Sequence, residues 1–140
     1  MPDIRHLLDW SLFNFIIGNA DAHGKNLSFL YSDGSIRLAP FYDLISTAVY
    51  ERINNKFAMK MGGQKDPRYL QGSDLKHFAD EIGIDLRMVK SSLKRMAQRV
   101  EEESGILGEE YRSVPGSRAI IDDIQKVIRG RIGKARSLTA

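Results

Sequence analysis

The run "LLDWSLFNFIIGNADAHGKNLSFL", Leu7 to Leu30, changes character twice. In its first part Leu7, Leu8, Leu12, Phe15 and Ile16, together with Ile4, recur at helical spacing, which predicts a buried helix capped by Asp3 and ending near Ile17. Gly18 is placed to stop it. The middle nine residues, Gly18 to Asn26, hold five polar or ionisable side chains. The last part opens a strand, because Leu27 to Tyr31 and Ile36 to Ala39 flank "SDGS", and Asp33-Gly34 is a strong hairpin turn signal. A polar loop therefore hangs between a helix end and a hairpin.

Within that loop Asp21 and Asn26 stand five positions apart, and beyond the hairpin "LAPFYD" delivers Asp43. A lone D-x-x-x-x-N says little, since Asp and Asn are common in turns where their side chains bond nearby amides. The apolar helix before it, the hairpin after it and the second acid raise it above that background. Phosphoryl transfer needs a carboxylate to orient and deprotonate the attacking hydroxyl, and oxygen ligands for magnesium on the nucleotide. Protein kinases supply these from an Asp, an Asn five residues later, and a further Asp beyond.

The match has departures. Where kinases carry H-R-D this chain has Asn19-Ala20-Asp21, and the D-F-G position is Tyr42-Asp43-Leu44. His23 makes the loop D-x-H-x-x-N, a form that is also similar to small-molecule phosphotransferases. Taken with "RLAPFYDLIST", the chain most closely resembles the HipA-like serine/threonine protein kinases of bacterial toxin-antitoxin systems, firmly over Leu7 to about Gly63 and loosely beyond. That resemblance implies an α+β, mostly helical fold, the C-terminal lobe of a protein-kinase-like fold, in one domain over residues 1–140. It divides into a catalytic loop (18–26), a hairpin (27–39), a metal-binding loop (40–46) and a helical part (73–140).

The same resemblance implies Asp21 as catalytic base, Asn26 and Asp43 as Mg2+ ligands, and ATP as phosphoryl donor. Lys25 is either a contact to the transferred phosphate or a solvated loop residue, and His23 belongs to the cofactor-binding loop, where hydrogen bonding is its expected part. The implied partners are a protein substrate, a DNA-binding HipB-like antitoxin and an N-terminal kinase lobe supplied in trans, with nucleic acid met only through the antitoxin. A zinc site is not expected, because His6 and His77 are remote from His23 and there is no cysteine.

Further along, Leu44 to Gln71 is irregular, with a short strand expected at Phe57 to Met61. "FAMK" there mimics the V-A-I-K strand, but that lysine precedes the catalytic loop in kinases whereas Lys60 follows it. Phe57, Met59 and Met61 are expected on one apolar strand face with Lys60 opposite. Helices are then predicted from Ser73 to about Ile82, from an Asp85 cap with Leu86, Val89, Leu93, Met96, Ala97 and Val100 on one side, and from Ser117 through Ile132.

Composition limits the alternatives. With 140 residues and 42% hydrophobic, the chain can bury a core, and the absence of cysteine excludes disulfide and thiolate-metal frameworks and suits a reducing cytoplasm. No apolar run approaches the length of a membrane span. A net charge of +3 is too weak and too dispersed for a dedicated nucleic-acid binder. No glycine-rich phosphate loop of either common type is present, so an upper lobe is expected elsewhere and little activity from these residues alone. The competing readings are a small-molecule phosphotransferase lobe and a non-catalytic interaction module.

Overall fold

Four helices and one hairpin make up the fold, punctuated by local signals in the chain, and the computed structural model describes residues 2–140. Helix α1 runs Pro2–Ile17 and is buried on nearly every side, since Leu8, Trp10, Leu12, Asn14, Phe15, Ile16 and Ile17 are all shielded. A helix covered all round needs no polar face, which is why its apolar residues outnumber a simple stripe. Gly18 then takes φ +72°, and α1 stops.

The hairpin pairs β1 (Phe29–Ser32) with β2 (Ser35–Leu38) in antiparallel register, Phe29 facing Leu38 and Tyr31 facing Ile36. Asp33 and Gly34 both adopt positive φ, the requirement of the tight turn whose backbone twist matches the strands. The ribbon is short and solvent-exposed, and it is tied to α1 by Arg37, whose guanidinium Nε donates to the Asp3 carboxylate at 2.9 Å. Asp3 lies inside the first turn of α1 and spends its carboxylate on this cross-link, so it is not the cap that its position suggested. The Arg37 hydrogen bond holds the Asp3 carboxyl below its ordinary pKa.

Helix α2 (Gly72–Ile82) ends at Gly83 in the left-handed conformation, with its N–H returned to the Ala79 and Asp80 carbonyls. Helix α3 (Leu86–Tyr111) starts where the Asp85 carboxylate accepts the Arg87 N–H at 2.8 Å. Helix α4 (Arg118–Thr139) runs beyond the expected Ile132, because Ile132, Ala135 and Leu138 continue the buried stripe. The short link between α3 and α4 folds them against each other, and α1 packs on both. Leu12, Ile16, Leu75, Val89, Leu93 and Ile132 meet in one continuous core. Each fully buried residue of this size contributes about 1.5–3 kcal/mol against exposure.

The expected strand at Phe57–Met61 does not form. The segment is instead pinned at its ends, with the Phe57 N–H bonded to the Lys65 carbonyl and Met61 bridged to Gln64 across a Gly62-Gly63 turn. Phe57 packs against Phe15 and Met61 is buried, but Met59 is 49% exposed, so the three do not share a face. Gly62 is obligatory there: a Cβ would sit 1.8 Å from the Asp74 carbonyl oxygen. Helix, hairpin and helical half together make a mostly helical α+β fold.

Candidate active site

The loop after α1 is built by three buried polar side chains that reach across the chain. Asn14, one turn before the end of α1, donates to the Trp10 carbonyl at 2.8 Å and accepts from Asn19 Nδ2 at 2.8 Å. Asn19 Nδ2 also reaches the Asp43 carbonyl at 3.1 Å, and its Oδ1 accepts the Asp21 N–H at 3.0 Å. Thr47 Oγ1 accepts the Ala20 N–H at 2.7 Å. The Ala48 N–H closes the arrangement on the Gly18 carbonyl at 2.9 Å. Each of these groups is paired, as burial of a polar atom demands.

On that frame the 3₁₀ turn Gly24–Asn26 buries Asn26 and leaves Lys25 exposed. Asn26 Oδ1 accepts the His23 N–H at 2.9 Å, which orients the amide so that its Nδ2 donates to Asp43 Oδ2 at 2.9 Å. Asp43 is thus gripped at both its carbonyl and its carboxylate, and it holds φ +59°, a conformation that costs a non-glycine residue about 1–2 kcal/mol. Strain held by surrounding hydrogen bonds is typical of sites where a side chain must be aimed. Asp21 and Asp43 are connected through Asn19, not by direct contact.

Asp21 carries its carboxylate outward, half-exposed, with Oδ1 2.9 Å from His23 Nε2. His23 therefore faces the carboxylate, and its backbone props Asn26. The Lys25 carbonyl accepts the Tyr42 hydroxyl at 3.1 Å, tying the two loops once more, while the Lys25 side chain forms no ion pair among the described residues. Asn26 and Asp43 are thus brought together, Asp21 stands beside them through the loop backbone, and Lys25 and His23 lie on the same turn.

A hard dication suits this donor set. Asn26 Oδ1 keeps one lone pair after accepting from His23, Asp43 Oδ1 has no hydrogen bond among the described residues, and both are oxygen donors of the kind magnesium prefers. No group of three or more His, Asp or Glu forms a self-sufficient cage among the described residues, and magnesium commonly completes its shell from phosphates and water. Asn14, Asn19 and Thr47 are positioning residues that spacing in the chain did not reveal. The nearest signal was the polar Asn14 on an otherwise apolar helix.

Comparison with known proteins places this arrangement in a family. The family model described as the HipA-like C-terminal domain matches residues 1–104. A putative kinase, Y4mE of Sinorhizobium fredii, is 33% identical over 129 residues, covering 92% of this chain and 31% of the relative. The serine/threonine-protein kinase toxin HipA of Shewanella oneidensis is 38% identical over 98 residues, covering 70% of this chain and 23% of that protein. The structure of the Shewanella oneidensis HipA, HipB and operator DNA complex contains a chain that superposes with a TM-score of 0.83 at 28% identity, over 95% of this chain and 32% of that one. The present chain spans about a third or less of each of these three proteins. With three quarters of its residues under the family model and the fold superposed along nearly its whole length, the chain belongs to the HipA-like C-terminal domain family and is a kinase-related domain.

Proposed function

We propose that this chain is the catalytic lower lobe of a HipA-like serine/threonine protein kinase, which transfers the γ-phosphoryl group of ATP to a protein hydroxyl. The observation that carries the reading is the 2.9 Å contact between Asn26 Nδ2 and Asp43 Oδ2, which joins the two loops that kinases use to hold metal. Asn26 and Asp43 would hold Mg2+, which when bound neutralises charge on the nucleotide phosphates. Asp21, with its carboxylate open to solvent, accepts the proton of the acceptor hydroxyl as the new O–P bond forms and the bond to the ADP oxygen breaks. His23 orients that carboxylate, and Lys25 would contact the transferred phosphate.

The small cavity behind the loop, lined by Trp10, Asn14, Asn19, Phe57 and Met61, is about 60 Å³, well short of what a nucleotide fills. The adenine wall and phosphate cover therefore come from an upper lobe, in the same longer protein or in trans. A HipB-like antitoxin is the proposed regulatory partner, with DNA reached through it, and the cytoplasm is the proposed setting. No helix among the described residues is long and apolar enough to cross a membrane.

The test is magnesium-dependent phosphate transfer from radiolabelled ATP, with the chain alone and joined to an upper-lobe polypeptide. The chain alone should be nearly inert and the joined protein active, with Asp21→Asn lowering the rate by about 10²–10⁴-fold. Robust turnover without an upper lobe would refute the split-site reading. A fully active Asp21→Asn protein would refute the assignment of Asp21 as the base, whereas a joined protein with no phosphotransfer at all would favour an interaction module.

A further inference from the structure

A second concave surface lies on the α4 side of the catalytic loop. It is a groove of about 1060 Å³ between α4 and the segment 48–55, with Pro67 and Arg68 at one end. Gly130 and Gly133 deepen its floor by lacking side chains, and Lys126, Arg131 and Lys134 line its α4 wall. Among the described residues, none of these three cations is tied up by a neighbouring carboxylate. Arg37, Arg68, Arg112 and Arg136 are each matched to a carboxylate, whereas Lys126, Arg131 and Lys134 have no ion pair among the described residues.

Arg131 is the most telling. Its guanidinium lies 5.7 Å over the Phe15 ring and is partly buried, while the neighbouring carboxylate, Asp66, is already held by Arg68 at 2.6 Å. A partly desolvated cation without a counter-ion is costly, and an incoming anion relieves that cost. The groove also reaches the back of the catalytic loop. Arg131, Asn55 and Pro67 line the narrow gap behind Gly18, Asn19 and Ala20, and Val127 and Ala48 abut Gly18 itself.

Size and charge choose the occupant. The volume is at the top of the range that a small ligand needs, which favours a stretch of polypeptide. Glu51 and Asp123 also line the groove and would repel the unbroken charge of a nucleic-acid backbone, while a peptide can space its acids between them. We propose that this groove docks an acidic segment of the protein acceptor, seating its carboxylates on Lys126, Arg131 and Lys134 beside the catalytic loop. The proposal rests on the protein-kinase reading above and names the recognition chemistry of its acceptor.

Binding separates it from that reading. A fluorescein-labelled peptide of Glu and Ser is titrated with the full chain and followed by anisotropy, beside a Gln-for-Glu peptide and a labelled DNA duplex. The acidic peptide should bind more tightly than either, and Lys126→Glu with Lys134→Glu should weaken it by roughly tenfold. Arg129→Glu, outside the groove, should leave the affinity unchanged. Arg131→Gln should weaken binding too, with circular dichroism used to check folding. Equal binding of the acidic and neutral peptides, tighter binding of the duplex, displacement by Mg-ATP, or no effect of the double charge reversal would each overturn the proposal. Acidic-peptide binding by the wild-type chain together with no phosphotransfer by the protein joined to its upper lobe would instead sink the kinase assignment alone.

Discussion

Replacing Gly18 by Ala tests how the catalytic loop is attached to the helical half. At this position the backbone holds φ +72°, which costs an L-residue about 1–2 kcal/mol. The added Cβ would lie 2.6 Å from Val127 Cγ1 and 3.0 Å from the Ala48 Cβ, so α4 or the following turn must shift, at about 1–3 kcal/mol for an overpacked site. The sum is a loss of about 2–5 kcal/mol. Urea denaturation of Gly18→Ala, Val127→Ala and the double variant reads both parts. Val127→Ala alone removes two methyl groups from a half-buried site and costs about 1 kcal/mol. The double variant should cost less than the sum of the singles by about 1–3 kcal/mol, because the overlap with Cγ1 is gone while the backbone strain persists. A Gly18→Ala loss below about 0.5 kcal/mol, or strict additivity, would show that α4 does not press on the loop as described. Because the Gly18 carbonyl anchors Ala48, the single variant should also slow phosphotransfer by the protein joined to its upper lobe.

Asn19→Ala should lose about 1–3 kcal/mol in denaturant melts, since it orphans the buried Asn14 Oδ1 and removes part-buried bonds to the Asp43 carbonyl and the Asp21 N–H. Asn26→Ala should weaken magnesium binding in the joined protein, read by calorimetry with a non-hydrolysable nucleotide; unchanged binding would remove Asn26 from the ligand set. The Asp66 carboxyl is held at about 2 by the Arg68 side chain, outweighing the opposing effect of burial, against an ordinary 3.8. Its contribution to stability is therefore complete above the ordinary value and is lost as pH falls towards about 2. The gap in melting temperature between wild type and Asp66→Asn should be flat near neutrality and close across that acid window, and a gap that does not change with pH would contradict the pairing.

Much of the architecture could be read residue by residue. The Asp85 cap, the Asp33-Gly34 turn and the apolar spacing of α3 are signals contained within one or two turns of chain, so they survive without knowledge of the fold. Asp3 misled because a capping residue and a first-turn residue look alike in sequence, and only the approach of Arg37 from the hairpin separates them. Phe57 to Met61 misled because alternating apolar residues imply a strand only where a partner strand is available, and here Lys65 and Gln64 occupy the backbone instead.

The sequence by itself determined the order and spacing of Asp21, Asn26 and Asp43, the helices that follow and the turn between the first two loops. The tertiary structure alone decided that Asn14 and Asn19 hold Asp43, that Thr47 holds Ala20, and that Arg131 lies unpaired beside the loop. The physical reason is range. A cap or a turn is stabilised by neighbours a few bonds away, whereas those hydrogen bonds and that burial join residues that meet only once α1, α4 and the irregular segment have packed.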